Sequence, residues 1–342
     1  MVKSRNVFVV ALFCWTCLAA CDRKPDGYAH LLTGHTMGTS YAIKFSDRVE
    51  PDRLDEIAAA VEARLIELDQ RLSTYRENSE VSRFNADPGT DWFAVSEETA
   101  FILLRGIEVS ERSGGAFDIT VGPLVDLWGF GPVGEPTRVP EQAEIAALLE
   151  STGFDLLRVR ESPAAVRRTR PGVQIDLSAI AKGYAVDALA DLLDNAGVSN
   201  YLVEVGGEVR ARGLRADAAD WRIAVETPVA GTRLIQSVVR LRDAAIATSG
   251  DYRNFFEHDG VRYSHTIDPR TGWPIAHDLG AASVIDESAI DADAWATALL
   301  VLGSERGLET AHREGLAANL IIRTDQGVEE IRTPAFEANL IH

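Results

Sequence analysis

All three cysteines of this 342-residue chain, Cys14, Cys17 and Cys21, lie within its first 21 residues. Everything that follows must fold without a disulfide, a thiolate nucleophile or a cysteine metal site. Its stability has to come from buried apolar surface. A chain of about 300 residues can meet that demand, because folding hides roughly three quarters of the surface it exposes when unfolded. With 46% apolar and 25% charged residues the composition is globular, which excludes a collagenous, coiled-coil or wholly disordered chain.

The cysteine-bearing segment reads as an export leader. Lys3 and Arg5 give it a positive start, and residues 7–13 begin an apolar run too short to span a bilayer. Leu18-Ala19-Ala20-Cys21 then matches the lipobox at which bacterial lipoproteins are cleaved and acylated. The expected organisation is a lipoprotein signal peptide over residues 1–20, a tether lipidated at Cys21 over residues 21–29, and one domain over residues 30–342. Asp22 directly after the acylated cysteine resembles an inner-membrane retention signal. The expected location is therefore the periplasmic face of the inner membrane, held there by lipid. A domain free of unpaired thiols suits that oxidising compartment.

Thirty-four Lys and Arg stand against 52 Asp and Glu, a formal net charge of −18. That excludes nucleic acid as a partner, since neutralising phosphates takes a basic footprint. It also means that any anionic ligand must find its cations locally.

Apolar positions Leu54, Ile57, Ala58, Val61, Leu65, Leu68 and Leu72 step by three and four after Pro51 and Asp52, which predicts a helix. A second helix is expected after Ser96, ending at Gly114-Gly115, with others over residues 140–151 and 178–196. Another is expected from an Asp291 cap to about Leu302. Strands are expected at residues 39–45, 172–177, 201–205, 209–213, 221–226, 237–241, 244–248, 281–285 and 316–323. Helices and strands alternate irregularly and several strands are joined by short turns. The expected class is α+β, with mixed or antiparallel sheets and flanking helices, not a doubly wound nucleotide fold.

Four places offer chemistry. Asp293 and Thr297 are four apart at a helix start and share a face, a hard-oxygen pair suited to Mg²⁺. Taken alone, the same residues also serve as a dipole partner and a packed polar group. Asp176 to Lys182 runs into a helix start, where backbone N–H groups and a lysine can meet an anion, or where a cap and a solvated lysine suffice. Glycines and aromatics crowd Gly115-Ala116-Phe117-Asp118 and Leu127-Trp128-Gly129-Phe130, either packing tightly or admitting a planar ring. His265, with Asp268 and Arg270 close in sequence, is the histidine best placed for proton transfer.

Together these stretches resemble one family, the flavin-transferring ApbE family of FAD:protein FMN transferases. The resemblance rests on Thr36-Met37-Gly38-Thr39, Ser73-Thr74-Tyr75, Gly115 to Pro123, Asp176 to Tyr184, Val205-Gly206-Gly207-Glu208, Thr248 to Asn254, His265 to Gly272 and Asp293-Ala294-Trp295-Ala296-Thr297. They follow in family order over roughly residues 30–340. The resemblance implies FAD contacts at Met37, Tyr75, Ala116, Phe117, Asp118, Asp176, Lys182 and Ile267. It implies Mg²⁺ ligands at the Ala179 carbonyl, Asp293 and Thr297. Some members carry a second aspartate where Ala296 stands, and some a glutamate where Lys182 stands.

The implied reaction splits FAD, moves FMN through a phosphoester to a threonine of a partner flavoprotein and releases AMP. The partners implied are subunits of membrane redox complexes. His265 is the first candidate for the base that the threonine needs, with Asp293 or Asp268 behind it. Two alternatives share the motifs: an FAD-binding lipoprotein acting as a store or chaperone, and a Mg²⁺-dependent FAD pyrophosphatase.

Overall fold

The computed structural model describes residues 28–341, apart from residues 133–137, 230, 232 and 233. The expected signal peptide, Cys21 and nearly all of the expected tether lie outside the described residues. Eight strands form one antiparallel sheet in which neighbours in space are neighbours in the chain. They are β1 (His30–Thr36), β2 (Thr39–Phe45), β3 (Tyr201–Val205), β4 (Glu208–Arg212), β5 (Ala244–Gly250), β6 (Leu279–Asp286), β7 (Ala317–Thr324) and β8 (Gly327–Arg332). The α+β class with an antiparallel sheet and flanking helices is what the sequence led us to expect.

Both faces of this sheet are covered, so its central strands read as unbroken apolar runs. Alternate residues serve opposite cores, as the two-residue period demands. Ala245, Ala247, Ala282, Val284, Ala318 and Leu320 face the helices. Ile246, Ala281, Ile285 and Ile321 face a hairpin, Trp221–Glu226 with Ile235–Leu241, and the short helix Pro334–Glu337.

Four long helices make the larger layer: α1 (Pro51–Leu72), α2 (Glu97–Arg112), α3 (Ala181–Asn195) and α4 (Ala289–Glu314). α1 buries Ile57, Val61, Leu65, Leu68 and Leu72, the stripe that its periodicity predicts. Ser96 caps α2, its hydroxyl accepting the Thr99 N–H at 3.2 Å. α3 starts three residues later than expected, because the Asp176 carboxylate takes the N–H and hydroxyl of Ser178 and holds that stretch in a turn. Ser288, not Asp291, caps α4. Asp291 turns instead to Arg105, 2.6 Å away. The expected stop near Leu302 is a break rather than an end: Gly303 leaves helical geometry at φ 79°, and the helix resumes to Glu314.

Residues 172–177 are not a strand. Val173, Ile175 and Leu177 are buried in strand-like alternation, but no neighbouring strand pairs with them. The Asn85 side chain substitutes for one. Its carbonyl accepts the Ile175 N–H at 2.7 Å and its amide donates to the Ile175 carbonyl at 2.8 Å.

A third, aromatic core forms beside the sheet from Leu124, Trp128, Ile145 and Ile267. Trp128 stacks on Tyr263 at 5.4 Å and its indole N–H donates to the Gly272 carbonyl at 2.9 Å. This core carries residues 265–274. No helix among the described residues is long and apolar enough to cross a membrane.

Candidate active site

A cleft of about 550 Å³ opens where α3 and α4, the ends of β4 and β5 and the aromatic core meet. Its walls include Tyr75, Ala116, Phe117, Asp118, Asp176, Ala179, Lys182, His265, Ile267, Asp293 and Thr297. The chain thus brings together eleven residues chosen from sequence, drawn from segments up to some two hundred positions apart. Met37 is the exception. It occupies the positive-φ turn with Gly38 between β1 and β2 and packs against the main core, away from the lining.

Close approach of α3 to α4 builds the corner of the cleft that holds Asp293. A Cβ on Gly183 would stand 2.8 Å from the Cβ of Asp293, so only glycine lets the helices come this near. The reward is a 2.9 Å hydrogen bond from the Gly183 N–H to Asp293 Oδ2. Asp293 is 2% exposed, and one turn on Thr297 meets Ser249 of β5, the two hydroxyls 2.8 Å apart.

Lys182 is neither a solvated lysine nor a free phosphate cation. Its ammonium lies 3.2 Å from Glu208 Oε1, 3.7 Å from Asp293 Oδ2 and 3.4 Å from the Ser178 carbonyl. Burial opposes its charge, but Asp293 and Glu208 outweigh that and hold its pKa above the usual lysine range. Burial also raises the carboxyl pKa of Glu208 against the pull of Lys182, and Asp293 adds to the rise.

His265 also lines the cleft, in a bend between the hairpin strand Val261–Ser264 and the short strand Ile267–Asp268. It is not in a continuous strand, so alternation does not separate it from Thr266, and both line the cleft. The Asn254 carbonyl lies 3.0 Å from Nδ1 and also accepts the backbone N–H of His265. A carbonyl only accepts, so the neutral ring keeps its proton on Nδ1 and presents a lone pair on Nε2. Burial pushes the pKa of His265 below its ordinary value, although Asn254 and Asp251 oppose the shift. Asp268 is unsuited as an alternative base, for it grips Arg270 at 2.8 and 2.7 Å and does not line the cleft.

The remaining predicted contacts divide by what occupies them. Both Asp118 oxygens are spent inside the protein, on Thr120 and on the Phe154 N–H, so this buried residue shapes its loop. Tyr75 is 68% exposed at the rim, an aromatic face with no protein cover. Glu208, Ser249, Arg253, Asn254 and Phe130 line the cleft although none was singled out as a site residue. All five lay within stretches already quoted from the sequence. Only burial and partners, which a sequence does not display, separate them from neighbours there.

No three His, Cys, Asp or Glu residues converge on a metal position among the described residues. One carboxylate, a hydroxyl and a backbone carbonyl facing an open cleft instead suit Mg²⁺, which completes its octahedron with phosphates and water.

Residues 37–320 match the sequence model of the ApbE family. The FAD:protein FMN transferase of Vibrio cholerae serotype O1 is 42% identical over 96% of this chain and 98% of its own length. The enzyme of the same name from Escherichia coli K12 is 39% identical over 94% of this chain and 93% of its own. Two solved structures align closely with this fold. The flavin transferase ApbE from V. cholerae gives a TM-score of 0.84 at 41% identity, over 91% of this chain and 99% of that one. The apo flavinyl transferase ApbE from Pseudomonas stutzeri gives 0.83 at 42%, over 91% and 96%.

Proposed function

The chain belongs to the ApbE family, and from that membership we infer that it is an FAD:protein FMN transferase, acting with Mg²⁺ on a threonine of a partner flavoprotein. One observation supports this reading above others: a single cleft is lined both by the hard-oxygen pair Asp293 and Thr297 and by an imidazole whose Nδ1 is engaged by the Asn254 carbonyl, which leaves Nε2 to meet a substrate.

Tyr75, 68% exposed at the rim, offers a flat face for the rings of FAD, and the buried Ala116-Phe117 loop borders the cleft beside it. Asp293, Thr297 and the Ala179 carbonyl would hold Mg²⁺ beside the pyrophosphate, where it would offset phosphate charge in an otherwise acidic protein. The acceptor threonine attacks the phosphorus of the FMN half. Its proton passes to Nε2 of His265, a new P–O bond forms, and the bond to the AMP phosphate breaks. AMP leaves with its charge. The Asn254 carbonyl keeps the imidazole in the tautomer that this transfer requires.

The acceptor is taken to be a subunit of a membrane redox complex, reached from a lipid anchor at Cys21 on the periplasmic face. The leader and lipobox support that placement. Asp293→Ala tests the chemistry. It should abolish Mg²⁺-dependent AMP release while the chain stays folded, its melting temperature lowered by a few degrees through the lost Gly183 hydrogen bond. Full activity of an EDTA-treated chain without added metal would end the Mg²⁺ assignment.

A further inference from the structure

The proposed reaction uses Asp293 and assigns nothing to Glu208, although Glu208 is 4% exposed, borders the cleft and shares the same lysine. One of its oxygens meets Lys182 at 3.2 Å, and the other is buried without a hydrogen-bond partner. A carboxylate half-satisfied in this way is costly to bury unless its charge serves a neighbour. Its neighbours are a lysine and the proposed metal ligand.

Mg²⁺ and the Lys182 ammonium would compete for one carboxylate. The geometry already favours the metal. The ammonium is closer to Glu208 than to Asp293, and its 3.7 Å distance to Asp293 Oδ2 exceeds hydrogen-bond reach. Asp293 Oδ2 is already taken by the Gly183 N–H at 2.9 Å. Gly206 fixes the lysine stem on its other side, where a Cβ would come within 3.1 Å of Lys182 Cδ.

We propose that Glu208 is a positioning residue that draws the Lys182 ammonium off Asp293, leaving Asp293 free for the divalent cation. This rests on the reading of Asp293 as a Mg²⁺ ligand. Without Glu208 the ammonium has Asp293 as its one carboxylate partner among the described residues, and the metal must displace it. The lysine is then a built-in competitor, and Glu208 holds it aside.

The test counts Mn²⁺, the EPR-visible stand-in for Mg²⁺, bound to the full chain without flavin. Glu208→Gln should weaken binding about 10- to 100-fold, the usual effect of losing a group that orients a ligand. Lys182→Met should bind Mn²⁺ more tightly than the parent, and adding it to Glu208→Gln should recover most of the loss. A Glu208→Gln chain within twofold of the parent, or a double variant no tighter than Glu208→Gln, overturns the inference. If Glu208→Gln does not fold, Lys182→Met alone decides: tighter binding supports the inference and unchanged or weaker binding overturns it. Parental Mn²⁺ binding that survives Asp293→Ala removes the metal assignment and this inference with it. Asp293-dependent binding untouched by Glu208→Gln removes only the inference.

Discussion

Replacing Gly183 by alanine drives a methyl group into the contact that joins α3 to α4. The new Cβ would lie 2.7 Å from the Ala289 carbonyl carbon and 2.8 Å from Asp293 Cβ, and closer still to the Ala289 oxygen. Ordinary carbon contacts start near 3.5 Å, so the helices must part by at least roughly 0.8 Å. Overpacking of this kind costs about 1–3 kcal/mol. Stretching the Gly183 hydrogen bond to the Asp293 carboxylate gives up part of a further 1.5–3 kcal/mol or so. Alanine returns about 1 kcal/mol through helix propensity. The net expectation is a loss of about 1–4 kcal/mol, or a Tm lower by about 2–6 °C for a domain this size. Activity should suffer more than stability, because a shift approaching 1 Å in a catalytic ligand costs about 10²-fold. Circular dichroism melting and steady-state AMP release measure the two effects on one preparation. An alanine variant that melts no lower and turns over normally would refute the claim that this approach sets the position of Asp293.

His265→Ala should lower turnover about 10²–10⁴-fold while FAD affinity, read from flavin fluorescence, changes little; weakened binding with intact turnover would instead make the histidine an orienting group. A base acts when deprotonated and burial lowers the pKa of His265, so kcat/KM for FAD should rise with pH through a limb centred below 6.5 and stay level above it. A limb centred above 6.5 contradicts that. Asn85→Ala orphans the N–H and carbonyl of Ile175, at about 1–3 kcal/mol each, and should lower Tm while loosening the Asp176 loop. Cys21→Ser should leave the leader unprocessed or the chain without acyl groups, as intact-mass measurement of the membrane fraction would show; acylation persisting in that variant would contradict the lipobox reading.

What the sequence displayed was periodicity. The apolar steps of α1, the Ser96 start of α2 and the apolar runs of β3, β5, β6 and β7 could all be recognised because a buried face imposes a spacing. The edge strands β1 and β8 were missed. His30–Thr36 and Gly327–Arg332 are bonded on one side only and bury little, so polar residues blur their alternation. Residues 172–177 misled in the opposite sense: they alternate because every second residue is buried, yet an asparagine side chain supplies their hydrogen bonds. At the site, spacing put Asp293 and Thr297 on one face. It could not show that Lys182 is shared by two buried carboxylates, because Glu208 and Asp293 are far apart in the chain and meet only through the packing of α3, α4 and β4. His265 was found for its neighbours Asp268 and Arg270, which turn out to hold each other. Asn254, eleven positions earlier, is the residue that orients it.

The central claim is that FMN leaves FAD for a protein hydroxyl. The direct measurement incubates the chain with FAD, Mg²⁺ and a threonine-bearing acceptor, then reads flavin fluorescence in a denaturing gel beside the yield of AMP. The account predicts a fluorescent acceptor band, one AMP per flavin attached, and loss of both when the acceptor threonine becomes alanine. Free FMN released with AMP while the acceptor stays dark would make the chain a pyrophosphatase, and intact FAD recovered from the protein would make it a carrier. Either result contradicts the account.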